Sequence, residues 1–207
     1  MGYTVLSRAE HKLYITQKQM RLKNGTPTII SNNCIGGIIC HDMGLQFRSP
    51  FVNIGIRAPE YLEILQNLPK YMETPFEERK ERYDGWPTVK WGDVWMLFAH
   101  EESLEVSLKK WEQRKNRIDY DNLFVTMTDR QGCTYEHLLM FDRLPYQNKV
   151  VITHKEYSEI KSAFYLKGFE DKQEVPVMSD WKPGYWKRRW IDDFDYIRFL
   201  NGKGINK

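Results

Sequence analysis

The hydrophobic residues of this chain fall into short apolar runs that alternate with stretches of helical periodicity. The clearest case lies near the amino end. Thr28-Ile29-Ile30 is β-favouring and bounded by Pro27 and Asn32, and Ile35, Ile38 and Ile39 follow at the i, i+3, i+4 spacing of a helix face. The pattern predicts strand, tight turn and helix, with Asn32, Asn33 and Cys34 in the turn and Gly36 and Gly37 opening the helix. Upstream, Leu6, Leu13 and Met20 recur every seventh residue within 3–23 beside Lys12, Lys18, Arg21 and Lys23, and Asn24-Gly25 ends this amphipathic helix.

Downstream, the run 51–56 reads as a strand, and Pro59 opens a helix through Tyr71. The charged stretch 74–84 reads as a surface helix or loop. Residues 86–91 form an edge strand or hairpin arm, and the unbroken run 94–99 forms a central strand. A helix from Glu101 to about Arg117 follows, then a strand over 123–127, a helix over 134–144 and a strand over 149–152. A short helix at 157–163, an irregular stretch with Pro176 and Pro183, and a closing helix over 192–200 complete the reading. No internal repeat or low-complexity segment interrupts it.

Such alternation predicts an α/β fold: a mostly parallel sheet with helices on both faces, in three layers. The 207 residues fit a single domain, 1–207, with an amino-terminal amphipathic helix at about 3–23 and an aromatic, basic carboxyl segment at about 176–207. Ligands of such sheets bind beyond the carboxyl ends of the strands. Four strands here finish in reactive chemistry: Asn32-Asn33-Cys34, His100, Thr128-Asp129-Arg130 and Thr153-His154. Parallel strands would bring these ends to one rim.

Composition narrows the function classes. A hydrophobic content of 41% fits a globular core, yet no run approaches the roughly 18 apolar residues of a membrane span. The first residues lack a signal-peptide core, so a cytoplasmic protein is expected. Three irregularly spaced cysteines give neither a disulfide framework nor a zinc pattern, and no metal is expected. The formal charge of +3 is spread among interleaved acids and bases, which speaks against a nucleic-acid partner. Two basic clusters stand out. The one at 12–23 either rests on an anionic membrane face, as a peripheral association, or is the wet face of a docked helix. The other, within Trp181 to Trp190, either stacks sugar rings and pairs with phosphate or pins the terminal segment to the core. Rossmann, Walker and Gly-x-Ser-x-Gly signatures are absent, so no nucleotide cofactor is implied.

Cys34 carries the sharpest chemistry. A thiol at a helix start meets the positive end of the dipole and unpaired N–H groups, which favour thiolate and receive an oxyanion. A cysteine among isoleucines also packs as core. The nucleophile needs a base and a group to orient that base. His100 is preferred over His154 for the base, and Asp129 would orient it. His41 lies two helical turns from Cys34, about 10 Å, too far for direct proton transfer. Asn32, Asn33 and the amides near Gly36 would hold an oxyanion, and Gly36 and Gly37 would admit a ligand close to backbone or simply pack closely. The catalytic set is therefore Cys34, His100 and Asp129, and the substrate-binding set is Asn32, Asn33, Gly36, Gly37, His41 and Arg130.

Several ordered motifs carry a resemblance. They are Ser31-Asn32-Asn33-Cys34-Ile35-Gly36-Gly37, Gly44-Leu45 with Phe47 and Ser49-Pro50, Lys110-Trp111 with Arg114, Asp121-Asn122-Leu123-Phe124-Val125, Thr128-Asp129-Arg130, and Phe141-Asp142 with Leu144-Pro145-Tyr146 and Lys149-Val150-Val151. Together, over about 26–201, they resemble the bacterial family known as domain of unknown function 1919. The Asn33-Cys34 turn also resembles that of capsule acyltransferase-like proteins of the WcbI type. The resemblance implies a place in exopolysaccharide, capsule or lipopolysaccharide synthesis. The expected function is acyl transfer to a cell-surface polysaccharide or its lipid-linked precursor, with Cys34 taking the acyl group from a donor such as acyl-CoA, at the inner membrane face or in the cytoplasm. A glycosyltransferase, with Asp129 or His100 as base and Arg130 or the 187–189 cations on sugar-nucleotide phosphates, is the alternative, followed by a non-catalytic glycan-binding assembly protein.

Overall fold

The computed structural model describes residues 5–83, 85–101, 103–183 and 188–205. The first helix, α1 (Val5–Arg21), leads into β1 (Thr28–Ser31) and α2 (Ile35–Met43), as the apolar pattern requires. Gly44 closes α2 in the left-handed conformation, and its N–H bonds back to the carbonyls of Cys40 and His41. After β2 (Ile54–Gly55) come α3 (Ala58–Gln66) and α4 (Leu68–Glu73), then β3 (Phe76–Tyr83), β4 (Trp86–Trp91) and β5 (Val94–Phe98). The remaining elements are α5 (Leu104–Lys115), β6 (Leu123–Thr128), α6 (Tyr135–Arg143), β7 (Asn148–Thr153), β8 (Ala163–Tyr165) and α7 (Tyr196–Leu200).

The strands form two sheets. One is wholly parallel, in the order β1-β6-β7-β8; the other is antiparallel, in the order β2-β5-β4-β3. The antiparallel sheet is inserted in sequence between β1-α2 and β6. The continuous apolar strands bury alternate residues on opposite faces of the parallel sheet. Ile30, Val125, Met127 and Val151 join a core with α3, α4, α6 and the second sheet. Ile29, Phe124, Val150 and Ile152 join another with α2, α7 and the 166–178 stretch. Trp91 anchors the first core, with Tyr71, Trp111 and Phe76 rings at centroid distances of 5.0, 4.9 and 5.3 Å.

Several elements depart from the expected pattern. The run 94–99 is a strand, but of the antiparallel sheet, and Trp95 on it is exposed. The run 51–56 contributes only the two residues of β2, paired with β5. The charged stretch expected as a surface helix or loop is β3, the outer arm of a hairpin with β4; Asp84 lies outside the described residues. The helix after Pro59 breaks at Asn67, two residues before Pro69, and continues as α4. No helix spans 157–163; turns lead there into β8. The closing helix is a 3-10 turn (Trp190–Asp193) followed by α7. Tyr3 and Thr4 of the predicted first helix, and 184–187 of the aromatic basic segment, lie outside the described residues. Among the described residues no helix is long and apolar enough to cross a membrane.

The inner face of α1 docks through one buried cation. The Lys18 ammonium bonds Asp192 Oδ1 at 2.8 Å and lies 3.9 Å from the centroid of the Tyr196 ring, an arrangement that offsets its desolvation. Burial nevertheless draws its pKa below the ordinary lysine value. Arg189 pairs with Asp42 at the end of α2, joining the same region to the carboxyl segment. Lys18 and Arg189 are therefore committed to holding the fold.

Close packing of α2 on β1 explains Gly36: a Cβ there would lie 3.2 Å from both Ile29 Cγ2 and Ser31 Cβ. Replacing Gly36→Val should lower stability by about 1–3 kcal/mol, a fall in Tm of several degrees, measured by thermal unfolding followed by circular dichroism. An unchanged Tm would show that this contact is not tight.

Candidate active site at the carboxyl rim of the parallel sheet

Three strand ends meet at this rim, and the sequence explains how each is held. The turn after β1 is locked by amides. Asn33 Oδ1 accepts the Ile35 N–H at 3.1 Å, and Asn33 Nδ2 donates to Thr128 Oγ1 at 3.1 Å and to Asn32 Oδ1 at 3.2 Å. Asn32 is fully buried; its carbonyl accepts the Ile56 N–H at 3.0 Å, and its Nδ2 reaches Gln131 Oε1 at 3.4 Å. Both asparagines, expected to hold an oxyanion, therefore tie β1 to β6 and to the strand-like residues before α3. Gly36 and Gly37 serve packing: a Cβ on Gly37 would meet Val52 Cγ1 at 3.2 Å.

Asp129 follows directly on β6 and is 5% exposed. Its Oδ2 accepts the backbone N–H of His154 at 2.6 Å and is 2.5 Å from the ring Nδ1 of His154; its Oδ1 accepts the Val175 N–H at 2.9 Å. A carboxylate next to Nδ1 makes that nitrogen the proton-bearing one in the neutral ring, which leaves Nε2 with the free lone pair. Nε2 has no hydrogen-bond partner among the described residues, although His154 is only 8% exposed. The arrangement is an imidazole held in place by a buried carboxyl group.

Asp129 thus orients His154, and not His100 as the sequence led us to expect. His100 stands at the end of β5 in the other sheet, exposed, at φ 63°, with its ring 5.2 Å from that of Trp86. Strand-end chemistry was readable in the sequence; which sheet each strand joins was not. His41 projects into solvent on α2, with Nδ1 3.7 Å from Asp42. Arg130 is held by the Val175 carbonyl at 2.6 Å and Glu174 at 3.1 Å, so it straps the 174–175 segment across the rim.

Cys34 occupies the N-cap position of α2 in a half-buried setting, and its side chain makes no capping hydrogen bond. Burial pushes its thiol up, opposite to the shift that the helix start was expected to give. The rim also holds residues that the sequence reading passed over. Cys133 is half-buried just before α6, Tyr157 follows His154, and the Arg57 guanidinium lies beside the Gln131-Gly132 turn, where Gly132 has φ 80° and a Cβ would come within 3.3 Å of it. A glycine next to a cysteine at a strand-helix turn was the available signal. No group of three or more His, Cys, Asp or Glu that could hold a metal ion occurs among the described residues.

An α/β chain with an acid-held histidine on the carboxyl rim defines the class. This chain belongs to the family described as a domain of unknown function (DUF1919), which matches residues 6–201. It is also similar to an uncharacterized protein of Haemophilus influenzae (strain ATCC 51907 / DSM 11121 / KW20 / Rd), 39% identical over 185 residues that cover 88% of each chain.

The upward shift of Cys34 has a direct consequence for its reactivity. At pH 7 iodoacetamide should alkylate Cys34 more slowly than it alkylates free cysteine, with the rate still rising above the ordinary thiol range. Peptide mapping of labelled native protein reads this. Rapid labelling of Cys34 at neutral pH would show a thiolate that burial does not suppress.

Proposed function

We propose that this protein is an acyltransferase in which His154, held by Asp129, removes the proton from the attacking group. The buried Asp129–His154 pair at the carboxyl end of the parallel sheet is the observation that carries this reading. Acyl transfer needs a base whose ring is fixed in one tautomer, with the far nitrogen open to a nucleophile. It also needs donors for the developing oxyanion, and the first turns of α2 and α6 open on the same rim as the pair. The resemblance to exopolysaccharide-associated proteins supports a cell-surface polysaccharide or its lipid-linked precursor as acceptor, and an acyl thioester such as acyl-CoA as donor.

The glycosyl-transfer reading finds less support, because two of the cations assigned to sugar-nucleotide phosphates, Arg130 and Arg189, are bound to carboxylates and a third, Arg188, stacks on the Tyr14 ring. Arg130 is bound to Glu174 and the Val175 carbonyl, and Arg189 is paired with Asp42. Lys187 lies outside the described residues.

His154→Gln retains size and polarity but cannot accept and return a proton. It should reduce turnover of p-nitrophenyl acetate, and acetyl transfer from acetyl-CoA to a hexose acceptor, by about 100-fold or more while leaving the Tm near that of the parent. Equal rates in the two proteins would refute His154 as the base.

A further inference from the structure

The Asp129–His154 pair needs a nucleophile close to Nε2, and the topology nominates one that the sequence did not. β6, α6 and β7 form a single parallel β-α-β unit, in which the helix start and both strand ends lie on the same edge. Asp129 follows β6, Cys133 immediately precedes the N-cap of α6, and His154 follows β7. Cys34, by contrast, follows β1, two strand positions from β7. That is roughly 10 Å across the sheet at the backbone.

Two contacts draw the segment after His154 onto the start of α6. The rings of Tyr135 and Tyr157 pack with centroids 5.6 Å apart, and Tyr135 Oη donates to Glu159 Oε1 at 2.8 Å. Tyr135 lies two residues after Cys133, and Tyr157 three residues after His154. Thr134 caps α6 by accepting the His137 N–H, which fixes the backbone next to the thiol. The Cys133 sulfur has only a long contact to the Thr134 carbonyl, 3.6 Å, so no strong bond diverts it.

We infer that Cys133 is the thiol that carries the acyl group, with His154 Nε2 as its proton acceptor. The inference rests on the acyl-transfer reading above and names the covalent residue within it. Cys133 sulfur adds to the acyl carbonyl carbon of the donor as its proton passes to Nε2. The bond from that carbon to the leaving group breaks, and the leaving group departs with the proton from Nε2. The acceptor hydroxyl then attacks the thioester and gives its proton to Nε2, the carbon–sulfur bond breaks, and the thiol regains the proton.

Burial, and then the charge of Asp129, push the Cys133 thiol up to about 12, and burial raises Cys34 too, so neither sulfur is a ready thiolate at neutral pH and Cys133 attacks only as a base takes its proton. Tyr157 senses both neighbours: burial first, then Asp129 and Cys133, raise its hydroxyl as well. The three groups therefore share one field.

The test uses the full chain with p-nitrophenyl acetate, acid quenching and peptide mapping by mass spectrometry. Neutral hydroxylamine distinguishes a thioester, which it cleaves, from acetylated lysine, which it leaves. We expect a p-nitrophenolate burst and a hydroxylamine-labile acetyl group on the peptide containing Cys133. Cys133→Ala should abolish both and Cys34→Ala should retain both, while His154→Gln should slow the burst by about 100-fold. Cys133→Ser, with the Tm of each variant, separates loss of the sulfur from loss of the fold. A labile label on Cys34, or His154-dependent turnover with no labelled thiol, would overturn Cys133 and leave the acyl-transfer reading standing. A burst that does not depend on His154 would overturn both.

Discussion

One buried carboxylate organises the carboxyl rim of the parallel sheet. Asp129 sits where the second strand of the parallel sheet ends, and its two oxygens accept N–H groups from residues 25 and 46 positions further along the chain. A buried carboxylate is costly unless its lone pairs are filled, and here they are filled by the backbone of His154, the ring of His154 and the backbone of Val175. The same bonds that satisfy Asp129 therefore fix an imidazole beside it.

The neighbouring segments repeat this logic with amides and an ion pair. Asn33 bonds its own helix start and Thr128 on the adjacent strand, while the Arg130 side chain and the Gln131 N–H hold the two carboxylate oxygens of Glu174. Each loop at the carboxyl edge is thus bound to another loop as well as to its own strand. Net hydrogen bonds contribute only about 1 kcal/mol each, but leaving a buried partner unmade costs more, so the rim is specified by what its loss would strand. Precise placement of His154 follows from that redundancy. The inserted antiparallel sheet supplies the other half of the support: its Trp91-centred aromatic cluster is continuous with the core under β6 and β7.

Much of the frame was legible in the chain. The strand-turn-helix at 28–43, the apolar strands at 123–128 and 148–153, and the helix after Thr134 all follow from periodicity and capping, because burial on both faces leaves a continuous apolar run. Sheet membership was not legible. Val94 to Phe98 is as apolar in sequence as β6, although its alternate residue Trp95 is exposed, and so His100 looked like a member of the parallel rim. The hairpin arm β3 was hidden by its charges, which read as a solvated helix until β4 is seen beside it. β8 has three residues and no periodicity to detect. At the site, the polar strand ends could be picked out, Asp129 among them, but the choice of His154 over His100 depends on pairing between strands distant in sequence. The thiol before α6 carries no flanking asparagines in the chain, whereas Cys34 stands beside two whose amides serve the fold.

The most direct measurement of this account is the tautomer of His154 in the neutral ring, read from long-range proton–nitrogen correlations of 15N-labelled protein, with Asp129→Asn for comparison. The account predicts that Nδ1 carries the proton and Nε2 is the unprotonated, pyridine-like nitrogen in the parent, with that preference weakened in the variant. A His154 ring protonated at Nε2, or one indifferent to Asp129, would contradict it.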